Sequence, residues 1–362
     1  MAKVMHVIGD LECGGAQRMF LDTVQAMRDA GNDSRGLVVS GRLRMPAGDG
    51  LVFLRLPRTD NILLRALSKA YEFPLLLLAI AREDPDVIYA YHSADDRLLS
   101  VLAARLLGKK VAVRQCAPKS AHHLSSRLLD CMSYRLCDRV VALSGAGVRE
   151  LEASGIRKIA LIPNGKDARR YRSALSRAAA RKRLGIHGDE LVIGSVGRIC
   201  PVKDHKAAIS ALPEGSLFVI AGDSEPGELE ALRSAAEKAG ASGRLRLLGV
   251  RNDIPDILRA FDIFLHTSSA EGCSGAVMEA MCAGLPVVVF DEEATRQVVG
   301  GGGIVVRQGR TDELAAALKS LSEDPRLREK RGKMASREAS RFSLKKMVRS
   351  YERLFRKMRE EK

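Results

Sequence analysis

The stretch IFLHTSSAEGCSGAVMEAMCAGLPVVVF, residues 263–290, decides the fold. It opens on a short apolar run, Ile263–His266, and closes on another, Pro286–Phe290. Between them Gly275–Ala283 is rich in alanine and methionine, which favour a helix. Runs this short and apolar suit strands buried on both faces of a parallel sheet, with the helix as the crossover that joins them. The same alternation extends outward in both directions. Upstream, strands are expected at Val4–Ile8, Arg35–Val39, Val52–Leu56, Val87–Ala90, Val111–Arg114, Arg139–Ala142 and Ile159–Ile162, then at Leu191–Val196, Leu217–Ala221 and Leu245–Leu248. Downstream, Gly303–Val306 is the last. Helical patterns fall between them at Ala16–Ala30, Arg97–Leu107, Ser144–Ser154, Lys206–Leu212, Glu228–Gly240, Ile254–Ala260 and Asp312–Leu321. Strand and helix in alternation predict α/β layers with right-handed crossovers.

At 362 residues the chain has room for two such domains. The composition shifts near PNG at 163–165, where a basic stretch, KDARRYRSALSRAAARKRLG, precedes a fresh strand at Leu191. The reading is a first domain over 1–170, a linker around 165–190 and a second domain over 190–340. The basic, amphipathic helix Leu344–Met358 is expected to pack back on the first domain.

Net charge is +15 and unevenly spread: −1 over residues 1–100, +13 over 101–200, −6 over 201–300 and +9 over 301–362. Such a field attracts polyanions. Aromatic residues are only 4% and tryptophan is absent, which argues against base stacking and so against nucleic acid. The apolar run Phe73–Ala81 is far short of the ~20 residues that span a bilayer. The start, MAKVMHVIGD, lacks the features of a signal peptide and reads as a first strand. Seven cysteines without Cys-x-x-Cys spacing read as reduced thiols, giving an expected cytoplasmic setting.

Three segments carry chemistry. IGDLECGGAQRMF, residues 8–20, is a glycine-rich turn between strand and helix, with neither the dinucleotide fingerprint nor the P-loop lysine. There Gly14 and Gly15 allow a ligand to approach the backbone. VGRICPVKDH, residues 196–205, sets Arg198 and Lys203 beyond a strand's carboxyl end, two cations suited to a pyrophosphate. The third is SSAEGCSGAVMEAMCAGLPVV, in which Glu271 precedes a helix and Glu279 lies a turn inside it. The free amides at residues 273–276 form an anion cradle between the two carboxylates. That order suits a ligand with a sugar, a diphosphate and a ribose. None of these three segments contains an Asp-x-Asp motif.

These motifs, in this order, resemble those of the retaining family 4 glycosyltransferases, the "group 1" family. The resemblance covers GGAQR, LSGAGVRELEASGI and LIPNGKD, then VGRICPVKDH, the segment from LGVRNDIPDILRAF through EAMCAGLPVVVFD, and FSLKKMVRSYERLF. It implies the GT-B fold, two doubly wound Rossmann-like domains facing a cleft, with acceptor bound by the first and nucleotide sugar by the second. It implies that Arg198 and Lys203 bind the donor diphosphate, Glu271 the transferred sugar and Glu279 the ribose. Cys273, Ser274 and Gly275 would hold phosphate or sugar, and Gly14 and Gly15 would lie against the donor. Glu271, Arg198 and Lys203 are the catalytic candidates. Relatives often carry a histidine or asparagine after the strand that here reads KKVAVRQCAP. This chain has Gln115 and Cys116 there, and His92 in YAYHSADD is the other candidate for contact with sugar or acceptor.

The expected activity is retaining, metal-independent transfer from a UDP- or GDP-sugar to a lipid-linked or cell-envelope glycan, with no cofactor. The basic blocks Arg105–Arg183 and Arg326–Lys362 are expected to share one side of the molecule. That side would hold the protein to the cytoplasmic face of an anionic membrane. The rivals are a nucleotide-sugar epimerase on the same fold and a catalytically altered nucleotide-sugar-binding protein.

Overall fold

The computed structural model describes residues 2–12, 14–40, 49–56, 62–91, 93–115 and 124–361. The chain divides into two compact units, Met1–Asn164 with Leu344–Lys362, and Gly165–Ser343. Each is a doubly wound parallel sheet, the α/β class that the alternating runs predict.

In the first unit the strands are β1 (Val4–Ile8), β2 (Ser34–Ser40), β3 (Leu51–Leu56), β4 (Val87–Ala90), β5 (Lys110–Arg114), β6 (Arg139–Ala142) and β7 (Ile159–Leu161). Their order is β3-β2-β1-β4-β5-β6-β7, all parallel. The chain starts at the centre, winds outward to β3, then returns to the other side of β1. Right-handed crossovers then force the helices of the two arms onto opposite faces. Helix α1 (Gly15–Asp29) covers one face, where Met19, Phe20 and Val24 pack on Val4, Ile8 and Tyr89. Helices α2 (Ile62–Glu83), α3 (Ala94–Leu106), α4 (Leu124–Leu136) and α5 (Gly145–Ala153) cover the other. There Leu76, Val101, Tyr134 and Leu151 pack on Met5, Val7 and Ile88. Alternate residues of one strand thus serve two cores.

The second unit holds β8 (Val192–Val196), β9 (Leu217–Ala221), β10 (Leu245–Leu247), β11 (Ile263–His266), β12 (Val287–Phe290) and β13 (Ile304–Val306). Their order is β10-β9-β8-β11-β12-β13, again parallel throughout. Helices α6 (Arg177–Arg183), α7 (His205–Ser210), α8 (Glu228–Lys238), α9 (Ile254–Ala260), α10 (Gly275–Cys282), α11 (Glu293–Val299), α12 (Thr311–Glu323) and α13 (Pro325–Ala339) complete it. The order reverses between β8 and β11. At such a reversal the two loops part to opposite faces and leave a crevice at the strands' carboxyl ends.

Residues 165–190, read from sequence as a linker, are built into the second unit. Lys166 N–H donates to the Phe342 carbonyl at 2.8 Å, and Arg181 donates to Asp262 at 2.6 Å. The run of charge that suggested a solvated linker is one exposed face of α6, while Ala180 and Arg181 turn inward.

Helix α14 (Leu344–Glu360) belongs to the first unit. Its stripe Met347, Val348, Tyr351, Phe355 and Met358 is buried in the core that α1 shares, and the Tyr351 and Tyr89 hydroxyls meet at 2.9 Å. Burying Tyr351 and Phe355 stabilises this docking by roughly 1.5–3 kcal/mol each. The placement corrects one expectation. Helix α14 lies on the α1 face of the sheet, whereas α3 and α4, which carry part of the basic block Arg105–Arg183, lie on the opposite face. Those two basic segments therefore do not merge.

Helices α2, α4, α6, α11 and α13 were not expected. Along α2 the run Phe73–Ala81 is apolar almost all round, which hides the helical period, and Pro74 sits inside it. Along α13 the difficulty is reversed, because the helix is mostly charged and only Gly332, Ala335 and Ala339 are buried.

Candidate active site

The loops that leave β8 and β11 meet at the switch point of the second unit. Gly197 follows β8, and Gly222 approaches it so closely that a Cβ on Gly222 would overlap the Gly197 carbonyl. Arg198 follows, and its guanidinium is half-exposed, 3.4 Å from Glu225 Oε1. A turn over Pro201–Lys203 leads to Asp204, whose φ of +42° is left-handed and whose carboxylate caps α7 at Ala207 N–H. Asparagine and aspartate adopt that conformation most readily after glycine.

The β11 loop is laced to this turn. Thr267 Oγ1 donates to the Lys203 carbonyl at 2.7 Å, and Ser269 N–H donates to the Val202 carbonyl at 2.9 Å. These bonds hold Lys203 where its ammonium pairs with Glu271 Oε1. The same oxygen meets His266 Nε2 at 3.0 Å. Burial alone would push the Glu271 carboxyl up, but the Lys203 charge and the His266 hydrogen bond together hold it well below the usual carboxylate range. Burial depresses the His266 pKa, and Glu271 opposes that shift only in part. The pair is therefore an anionic carboxylate beside a neutral imidazole, a good acceptor for hydroxyl protons. Behind it, burial lowers His205 to about 3, and His205 Nε2 lies 3.2 Å from Ser195 Oγ.

Ser274 occupies the N-cap of α10 but makes no capping bond. Its hydroxyl turns back to His266 Nε2 at 3.2 Å. The first amides of α10 are thus left without a side-chain cap, at the positive end of the helix dipole. Cys273 is buried and Gly275 begins the helix. One turn on, Glu279 Oε1 accepts from Lys166 Nζ at 2.6 Å and from the Tyr171 hydroxyl at 3.2 Å. Lys166 is almost wholly buried, and its ammonium lies 5.9 Å from the Tyr171 ring centroid.

Arg198, Lys203, Glu271, Cys273, Ser274, Gly275 and Glu279 therefore lie on the two loops of one switch point and the helix that the second loop feeds. Gly14 and Gly15 lie in the first unit, after β1, whose own switch point is with β4. Gly14 is the extended N-cap of α1, and a Cβ on Gly15 would meet nothing within 4 Å. Packing thus does not demand glycine at 15. Gln115 is buried after β5 and donates to Glu150 of α5 at 3.0 Å, a contact within the unit's own framework. His92 and Cys116 fall outside the described residues. Sequence reasoning missed His266, Lys166 and Tyr171. The signal for His266 was a histidine ending a strand five residues before Glu271; Lys166 and Tyr171 were hidden in the supposed linker. Among the described residues, no three metal-ligating side chains converge.

Two family models match in tandem: Glycosyltransferase Family 4 over residues 13–170 and Glycosyl transferases group 1 over residues 176–338. The chain belongs to the group 1 glycosyltransferases. This glycosyltransferase is 28% identical, over 68% of each chain, to the UDP-Gal:alpha-D-GlcNAc-diphosphoundecaprenol alpha-1,3-galactosyltransferase of Escherichia coli. It is 27% identical, over 98% of each chain, to the lipopolysaccharide core biosynthesis glycosyltransferase LpsD of Rhizobium meliloti. Its fold matches that of Anabaena HepE, solved with UDP and glucose, at a TM-score of 0.84 and 21% identity, covering 98% of this chain and 99% of that one. The enzyme thus has the GT-B fold.

Proposed function

We propose that this glycosyltransferase moves a sugar from a UDP- or GDP-sugar to a lipid-linked or cell-envelope glycan, retaining the anomeric configuration and using no metal. The observation that carries the reading is the convergence of Arg198, Lys203, Glu271 and the uncapped amides of α10 at one switch point. Breaking the glycosidic bond leaves negative charge on the diphosphate and positive charge on the sugar ring. Arg198 can grip the diphosphate as a planar fork, and the α10 amides and Lys203 can neutralise it. With a diphosphate in place, Lys203 has a second anion to serve beside Glu271. Glu271, kept ionised, accepts hydrogen bonds from sugar hydroxyls on the face where the ring becomes cationic.

Metal independence is supported by what the two acids already hold. Glu271 is paired with Lys203 and Glu279 with Lys166, so an ammonium stands where a divalent cation would otherwise bind. Glu279 would take the ribose hydroxyls with its second oxygen. The first unit would receive the acceptor, with the backbone at Gly14 and Gly15 open to the donor. The Escherichia coli relative uses a UDP-sugar and a polyprenyl-diphosphate acceptor by its name, and the Rhizobium relative is named for lipopolysaccharide core biosynthesis. A lipid-linked acceptor would draw the enzyme to the cytoplasmic face of a membrane; among the described residues, no helix is long and apolar enough to cross one.

The deciding experiment is a thermal-shift screen against UDP-, GDP- and ADP-sugars, because a ligand that binds only the folded state must stabilise it. One base should raise the melting temperature clearly above the others, and the product formed from that donor should keep its anomeric configuration. No shift with any of the three, or an inverted product, overturns the reading.

A further inference from the structure

Seven of the ten large apolar side chains exposed among the described residues lie on three neighbouring helices, α2, α3 and α4. These helices form one layer on the sheet of the first unit, packed side by side. Leu78 of α2, Leu106 of α3 and Leu128 of α4 are 66%, 69% and 64% exposed. On α2 the exposed positions Tyr71, Pro74, Leu78 and Arg82 recur at helical spacing, so they share one stripe. On α4 the exposed stripe is Arg127, Leu128, Met132, Arg135 and Leu136. Arg105 Nε donates to the Leu136 carbonyl at 2.8 Å and so ties the ends of α3 and α4 into a continuous surface.

The charge on this surface has one sign, and the reason lies beneath it. Every acid on the described parts of these helices is paired with a cation. Lys69 takes Glu72 and Asp96 and lies 4.0 Å from Asp95, Arg97 takes Asp130, and Arg35 takes Glu83. Glu72, Asp96 and Asp130 are buried by that pairing. The exposed ridge is therefore leucine, tyrosine and methionine interleaved with arginine. An apolar area of this extent on a monomer marks an interaction surface.

We propose that the outer surface of the α2–α3–α4 layer docks on an anionic lipid bilayer. The leucines and Tyr71 sit at the headgroup–acyl boundary, and Arg82 and Arg135 meet lipid phosphates. Charge argues for this occupant over a second copy of the chain. A two-fold contact sets the same patch against itself, so arginine would face arginine, and the exposed Asp84 at the end of α2 is already paired with Lys109. The inference gives the lipid-linked acceptor of the preceding reading a physical address, but its test measures binding without turnover, so either can fail alone.

The test is co-sedimentation of the full chain with phosphatidylcholine vesicles, with and without phosphatidylglycerol, at low and high salt. The chain should bind the anionic vesicles and lose that binding as salt shortens the Debye length. Leu106→Ser with Leu128→Ser should weaken partitioning to the anionic vesicles by about tenfold per leucine at low salt. Arg82→Gln with Arg135→Gln should weaken it by about fivefold per arginine at low salt only. Both pairs are exposed, so melting temperature and the nucleotide-induced shift should not change. Equal binding to both vesicle types, no binding, or unchanged binding by both double variants overturns the proposal. So does a concentration-dependent dimer that the leucine variant abolishes, which would assign the surface to a second copy.

Discussion

Lys166 and Glu279 form an ion pair of 2.6 Å between the segment that opens the second unit and the helix that follows β11. Lys166 Nζ and the Tyr171 hydroxyl both converge on Oε1, which leaves Oε2 of Glu279 as the oxygen for ribose in the proposed donor site. The pair thus sets the orientation of the carboxylate proposed to bind the donor from 113 residues away in sequence. Lys166→Met leaves Glu279 with only the neutral tyrosine hydroxyl among these two partners. Breaking such a buried pair should cost about 3 kcal/mol of stability. It should raise KM for the nucleotide sugar about tenfold with a smaller change in kcat, because a ground-state contact to the ribose is lost. Lys166→Arg should recover part of the KM. Melting curves and steady-state kinetics on both variants check this; equal KM in wild type and Lys166→Met would leave the pair a purely structural tie.

Arg198 and Lys203 differ in ways that predict different losses. Arg198 is half-exposed with one long contact to Glu225, so Arg198→Ala should leave the melting temperature unchanged. Lys203→Ala also strips Glu271 of its ammonium, so it should lower stability as well as donor use. Each should reduce turnover by ~10²–10³ if it stabilises the leaving diphosphate. Titration of the free nucleoside diphosphate by calorimetry provides the check. Affinity as in wild type for both variants would remove the clamp assignment.

The legibility of this chain in sequence followed its chemistry. The strands were visible because parallel strands buried on both faces, such as Val287–Phe290, leave continuous apolar runs. The loops holding Arg198, Lys203, Glu271 and Ser274 were visible because these turns at strand ends carry glycines and charges close together in sequence. What stayed hidden was whatever depends on contacts far apart in sequence. Lys166 looked like part of a solvated basic run until the fold set it on Glu279. Glu72, Asp96 and Asp130 are buried against Lys69 and Arg97, a pairing that no local pattern in the sequence records. The basic tail looked ready to join the charge of α3 and α4, but its apolar stripe fits the opposite face of the sheet. Charge counted along a chain does not record which side of a sheet it reaches.

Metal removal gives a further expectation. The two acids of the proposed donor site already carry ammonium partners, so transfer should proceed at an undiminished rate in excess EDTA. The measurement is initial rate with and without chelator, followed by added Mg²⁺ or Mn²⁺. Loss of activity that Mn²⁺ restores would require a cation that the pairing of Lys203 and Lys166 leaves no place for.

Acid should unfold the first unit through a residue outside the proposed site. His6 is completely buried in β1, 3.3 Å from the Tyr91 hydroxyl at Nδ1, with Nε2 lacking a hydrogen-bond partner. Burial lowers its pKa to about 3. The folded pKa lies below the unfolded value of about 6.5, so between those limits the unfolded chain binds the extra proton. The stability is therefore complete above pH 6.5 and falls steadily as pH drops toward 3. At pH 5.5 the loss from this one histidine should be about 1.4 kcal/mol relative to pH 7.5. His205, lowered to about 3 by burial in the second unit, should give that unit a similar slope. His6→Leu removes the titrating ring and the unpartnered Nε2 together, at the cost of the Tyr91 contact. Denaturant titrations at pH 7.5 and 5.5 should show the wild type losing stability in both units. The His6→Leu variant should lose it mainly in the second. An unchanged pH slope in the variant would mean that other groups govern the acid sensitivity of the first unit.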